Sequence, residues 1–194
     1  MQQVDDRFEF YTKEGADLNL PFASPRFSDT ARGESVSNYS RKILDTIATA
    51  SNVDVTTLLI TSTTRTPEDQ ARIMYEQLGN GTISRYGSTG RAVIDIYHDS
   101  IKNGNDARQT RNAMRDTIQK YLDNGQRVSN HLGDPKVLNV FNISPTSISK
   151  DNIKTWEETL SQALDGNVIS TYLGPRTRVY DSAYHIEINQ PKNH

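Results

Sequence analysis

Three short runs, far apart in the chain, constrain the fold more than any other feature. They are "VTTLLITST" (55–63), "KVLNVFNI" (136–143) and "YHIEINQ" (184–190). The first is β-branched and the other two alternate apolar with polar residues, which is how strands read. A strand leaves its backbone donors and acceptors unmet until it pairs. Runs separated by tens of residues must therefore meet across the chain between them. A fourth, weaker strand is expected at "NVIST" (167–171). The segments between these runs repeat at helical spacing. This order predicts an α+β fold: an antiparallel sheet with helices packed on it, and 55–63 as a central strand.

The helices announce themselves by their ends and stripes. Ser37 opens the first, with Tyr39, Ile43, Leu44 and Ile47 on one face. In "TRTPEDQARIMYEQL" Thr66 is the N-cap, Pro67 fits the first helical position, and Glu68 and Asp69 suit the positive helix end. Ala71, Ile73, Met74 and Leu78 form the stripe expected to be buried. A glycine-rich break follows (79–90), and "RAVIDIYHDSIKNG" then reads as a helix in preference to a strand. A longer helix is expected from about Asp106 to Leu122, facing inward with Ala107, Met114, Ile118 and Tyr121. Asp151 is expected to cap a last helix through Leu164, which holds the single Trp.

Residues 1–36, rich in Pro, Ser, Asp and Arg, read as an irregular N-terminal segment, and 37–194 as a single α+β domain. No repeat or linker interrupts it. The formal charge is −2, with Lys and Arg scattered, which speaks against a nucleic-acid partner. No run approaches the ~18 apolar residues that a membrane span needs. The N-terminus "MQQVDDRFEFYTKEG" lacks the apolar core of a secretory signal. Synthesis in the cytoplasm without a cleavable signal is the expectation. There is no cysteine, so disulfides, Fe–S sites and thiol catalysis are excluded. A metal would need His and oxygen ligands, the donor set of an open catalytic zinc site.

Of the four histidines, His194 is the chain's last residue and His98 reads as exposed on a helix. The other two have more suggestive surroundings. His131 lies in "SNHLGDPKVLNVFNIS", two residues after Ser129 and eleven before Asn142, a polar amide set between Phe141 and Ile143. On an alternating strand His185 and Glu187 share a face. Two histidines with the Asn142 oxygen would make a three-ligand site with a place for water. Asn142 bonding to backbone, with both histidines satisfied in a core, accounts for the same residues. Spacing leaves both readings open.

Three pieces, in order, resemble the zinc peptidases of the D-Ala-D-Ala carboxypeptidase family, which share their fold with the Hedgehog signalling domain. "ITSTTRTPEDQ" resembles the family's early strand and helix, with an Arg and then a Gln. "SNH…NVFNI" resembles its Ser-x-His…Asp-Ile motif, and "DSAYHIEI" its late ligand strand. The resemblance covers roughly residues 55–190. It implies zinc ligands at His131 and His185, and at Asn142 where the family has aspartate. It implies that Arg65 meets a substrate carboxylate or the oxyanion, a task that suits a planar, permanently charged group. Gln70 would orient the same region, and Ser129 would bond substrate or shape its loop. A salt-bridged Arg65, a solvent-facing Gln70 and a turn-forming Ser129 are the structural alternatives.

The general base should be a carboxylate near the metal-bound water. The family's acid falls here on Ser182, so Asp181, one residue earlier, is the first candidate and Glu187 the second. Ala183 stands where some relatives hold a His. The interval from His131 to Asn142 exceeds the family's usual spacing, so part of "LGDPKV" would be an insertion. Asp134, in an apparent turn before Pro135, is an alternative oxygen ligand. The implied activity is zinc-dependent cleavage of peptidoglycan stem peptides, as a phage lysis enzyme or antibacterial effector at the bacterial cell wall. An immunity or secretion partner is then conceivable but is not indicated by the residues. The neutral Asn142 would weaken zinc binding. The alternatives are a wall-peptide or protein-binding module on the same fold, or a phage structural component.

Overall fold

The computed structural model of the chain describes residues 22–82 and 86–191. Most of the expected irregular segment (1–21), part of the glycine-rich break (83–85) and His194 lie outside them. The chain divides into two compact units, one of residues 1–64 with 134–194 and one of residues 65–133.

The first unit is α+β. Its five-stranded sheet has the order β1 (Arg26–Phe27), β2 (Leu59–Ser62), β3 (Leu138–Ile143), β5 (Tyr184–Asn189), β4 (Thr171–Leu173). All neighbours are antiparallel except β1 with β2. The sheet is thus mixed, because a piece of the N-terminal segment joins its edge in parallel. Strand β2 is interior, paired on both sides, but shorter than expected. Residues 55–57 instead form a turn of 3-10 helix, capped where the Asp54 carboxylate accepts the Thr56 amide at 2.9 Å.

Helix α1 (Asn38–Ala50) begins where Ser37 accepts the Ser40 amide through its hydroxyl. Its Ile43, Leu44, Ile47 and Ala48 are buried with Trp156, Leu160 and Ala163 of helix α5 (Ile153–Asp165). Both helices contribute to the same core as Ile60, Phe141, Ile143, Tyr184, Ile186 and Ile188 of the sheet. Burying side chains of this size stabilises the fold by about 1.5–3 kcal/mol each.

Two expectations fail here. Asp151 does not cap α5. The N-cap is Asn152, whose backbone is already near-helical (φ −96, ψ −9) and whose side chain makes no cap bond, donating instead to Asn52 O at 2.7 Å. Nor does "NVIST" form a strand throughout. Asn167 takes a left-handed turn (φ 58), and the amide of Val168 bonds Ala163 O at 2.9 Å. Residues 167–170 turn away from the helix end at Asp165, the Ser170 amide bonds Glu187 O at 2.8 Å, and β4 itself begins at Thr171.

The second unit is helical: α2 (Pro67–Gly79), α3 (Ser88–Lys102) and α4 (Ala107–Asp123). Helix α2 starts with a full capping box between Thr66 and Asp69, with Pro67 at its first position. Helix α4 has the same device between Asp106 and Gln109. The buried cluster is Ala71, Met74, Val93, Met114, Ile118 and Val128. Ala107 is exposed, and Thr110 takes its place in the inward stripe of α4. His98 is exposed on α3, as expected.

Candidate functional site

Alternation along β3 and β5 gives the sheet of the first unit two unlike faces. Phe141, Ile143, Tyr184, Ile186 and Ile188 belong to the apolar core. Asn142 and His185 are direct cross-strand partners, and so are Glu187 and Thr171. The pleat puts all four side chains on the face opposite the core residues.

They form one hydrogen-bonded row. Nδ1 of His185 lies 2.9 Å from Oδ1 of Asn142, and Nε2 lies 3.0 Å from Oε1 of Glu187. The Thr171 hydroxyl donates to the other Glu187 oxygen at 2.9 Å. The His185 and Glu187 side chains are only 12% and 8% exposed, so these bonds are largely screened from water. An ionised Glu187 only accepts, which places a proton on Nε2. Nδ1 then donates to the Asn142 oxygen in the charged ring. With the amide turned end for end, it accepts from Asn142 in the neutral ring. An Asp at 142 would support only the first arrangement.

Strand β3 carries two amides with different surroundings. Asn139 sits on the core face, 1% exposed, and is the well-bonded structural amide. Its oxygen accepts the Ser37 amide at 2.8 Å, and its nitrogen donates to Ser35 O and Pro135 O at 3.1 and 2.7 Å. It fastens β3 to the start of α1. Asn142 points the other way, to a histidine.

Of the two candidate bases, Glu187 is the one joined to His185. The Asp181 carboxylate accepts the Ala183 amide at 2.9 Å and shapes the turn into β5. Asp134 likewise holds a turn, accepting the Lys136 amide at 2.9 Å.

The other four candidates belong to the second unit. His131 is 3% exposed, in a short 3-10 turn (Asn130–Leu132) capped by the Ser129 hydroxyl. Its backbone oxygen accepts the Arg65 amide at 2.8 Å. The Arg65 guanidinium donates to Gln70 Oε1 at 2.9 Å, and the Gln70 amide donates to the Tyr86 hydroxyl at 3.2 Å. Gln70 is therefore not a solvent-facing helix position. It is fully buried and orients Arg65. Tyr86 was not singled out from the sequence. Its one signal is Gly90, where a Cβ would come within 2.4 Å of the Tyr86 Cβ, so that only glycine leaves the tyrosine its place.

Counting His, Asp and Glu alone, no group of three could hold a metal among the described residues. Nor is any helix among them long and apolar enough to cross a membrane. The donor pair that the first unit does bring together is His185 Nδ1 with Asn142 Oδ1. No family model, curated protein or solved structure matches the chain.

Proposed function

We propose that the chain is a zinc-dependent peptidase or amidase of the D-Ala-D-Ala carboxypeptidase type, acting on peptidoglycan stem peptides at the bacterial cell wall. One observation carries this reading: the His185 imidazole is held between Asn142 and Glu187 on the polar face of the sheet. Catalytic zinc takes His and oxygen donors and keeps a place for water. A carboxylate on the far ring nitrogen commonly fixes the orientation of a metal-bound histidine, and Glu187 occupies that place. The first unit thus fits zinc with two donors and a backing carboxylate. His131, of the second unit, is the donor that the resemblance adds.

Zinc bound there would supply a water of lowered pKa and polarise the scissile carbonyl. The chain's residues supply the rest. Glu187, braced by Thr171, fixes the His185 ring. Asp181, one of whose oxygens holds the Ala183 amide, would take the proton from water through the other. To Arg65, which Gln70 steadies within the second unit, the resemblance assigns the peptide's terminal carboxylate or the oxyanion.

A second reading, a wall-peptide or protein-binding module without turnover, is favoured by Asn142 itself. A neutral amide removes one negative charge from the donor set. Incubating the zinc-supplemented protein with a stem pentapeptide ending in D-Ala-D-Ala separates the two, with products read by mass spectrometry. Cleavage that disappears with chelator and with His185→Ala is the expected result. An intact peptide with both this chain and Asn142→Asp overturns the hydrolase reading and leaves the binding module.

A further inference from the structure

Helices α2 and α4 of the second unit frame a cleft of about 510 Å3 lined by Glu68, Arg72, Arg108, Arg111, Asn112 and Arg115. The four residues from α4 fall at i, i+3, i+4 and i+7, which is one face of the helix. An arginine stripe on a helix is often only its solvated side. Three observations set this one apart. The arginines come from both helices and line one concavity. The Arg108 and Arg111 side chains form no ion pair or hydrogen bond among the described residues. The Arg111 guanidinium lies 5.5 Å from the centre of the Tyr75 ring, which holds it over an aromatic face.

Arg72 and Arg115 are paired to Glu76 and Asp116 at 3.2 and 2.8 Å, but these pairs are largely solvent-exposed. Exposed pairs of this kind contribute about 0–1 kcal/mol and exchange readily for a better acceptor. The basic character is also regional. Residues 65–133 hold ten Arg and Lys against eight Asp and Glu, a balance of +2 within a chain of −2.

The geometry points to a binding site for a small molecule that carries a phosphoryl group. A guanidinium fork matches phosphate oxygens two at a time, and a dianion with several acceptor oxygens can engage more than one fork. A carboxylate has only two oxygens. Glu68 and Asn112 in the same wall would accept hydroxyl or amine donors on the rest of the ligand. The volume is that of a small-molecule cleft and not of a track for a polymer. This site is independent of the proposed hydrolase.

Calorimetric titration of the full chain with inorganic pyrophosphate at low salt tests it, with citrate and a single-stranded DNA oligonucleotide as comparators. Pyrophosphate is expected to bind, at least ten-fold more tightly than citrate. The double variant Arg108→Ala/Arg111→Ala should weaken that binding ten-fold or more, with helix content unchanged by circular dichroism. Lys102→Ala/Lys120→Ala, which removes the same charge from exposed positions of the same unit, should leave it within two-fold. Four results overturn the proposal: no pyrophosphate binding, an equal loss in the lysine variant, citrate binding as tightly, or tighter DNA binding through the same arginines.

Discussion

The two faces of the first unit's sheet are made by the same strands, one residue out of step, and they do different work. On one face Phe141, Ile143, Tyr184, Ile186 and Ile188 pack against two helices, and the polar groups there are few: Asn139 makes three hydrogen bonds, the Tyr184 hydroxyl donates to Glu157, and Trp156 Nε1 is buried without a hydrogen-bond partner among the described residues. On the other, Asn142, His185, Glu187 and Thr171 satisfy one another in a row. The apolar face contributes stability by area removed from water. The polar face contributes little net stability, because each bond replaces one to water. What it gains is a fixed imidazole and a fixed carboxylate. A sheet that holds such groups in place, at some cost in burial, is the scaffold a reactive centre requires.

Substitutions can break this contrast, beginning with the largest effect. Phe141→Ala should lower the unfolding free energy by about 3–5 kcal/mol in denaturant titration, through lost burial and the cavity left behind. Asn139→Ala strands the Ser37 amide and the Ser35 and Pro135 carbonyls; a loss of about 1–3 kcal/mol is expected. Glu187→Ala should cost a similar ~1–3 kcal/mol, since it leaves Nε2 of His185 and the Thr171 hydroxyl without their acceptor. If the faces differ as described, Asn142→Ala should cost least, about 0.5–1.5 kcal/mol, because one bond at a less buried position is lost. A larger loss at Asn142 than at Asn139 would reverse the assignment of the two amides.

Alkaline pH offers a probe of the apolar side alone. Burial, and then the Glu157 charge, push the Tyr172 hydroxyl up to about 12 from its ordinary value of 10. Burial and a hydrogen bond to Glu157 raise Tyr184 in the same direction. A folded value above the unfolded one means that the stabilisation is intact below pH 10 and is lost as pH rises toward 12. The thermal midpoint should therefore fall across that window, and Tyr172→Phe should flatten the fall. A midpoint insensitive to pH between 10 and 12 would contradict the burial described for these rings.

Signals carried by neighbouring residues were legible in the sequence. Thr66, Pro67 and Asp69 start α2 by local hydrogen bonds that need no other part of the chain. Alternation placed β3 and β5, and with them the shared face of His185 and Glu187. What could not be read depended on distant partners. Asp151 is a good cap by type, but Asn152 is drawn to Asn52, one hundred residues away, and takes the N-cap position. The pairing of Arg26–Phe27 with β2 carries no local mark, since two residues show no period. Asn139 and Asn142 look alike in the sequence; alternation puts them on opposite faces, but only the register of β3 against β5 brings Asn142 opposite His185. Tyr86 lies in a glycine-rich break where periodicity says nothing, and its bond to Gln70 becomes visible only once the chain is folded.

The most direct test of the polar face as a metal centre is zinc content by elemental mass spectrometry, on untagged protein, for this chain, Asn142→Asp and Asn142→Asp/His185→Ala. The account predicts about one zinc per chain in Asn142→Asp, less in this chain, and none once His185 is removed. No zinc in Asn142→Asp, or the same zinc with and without His185, would contradict it.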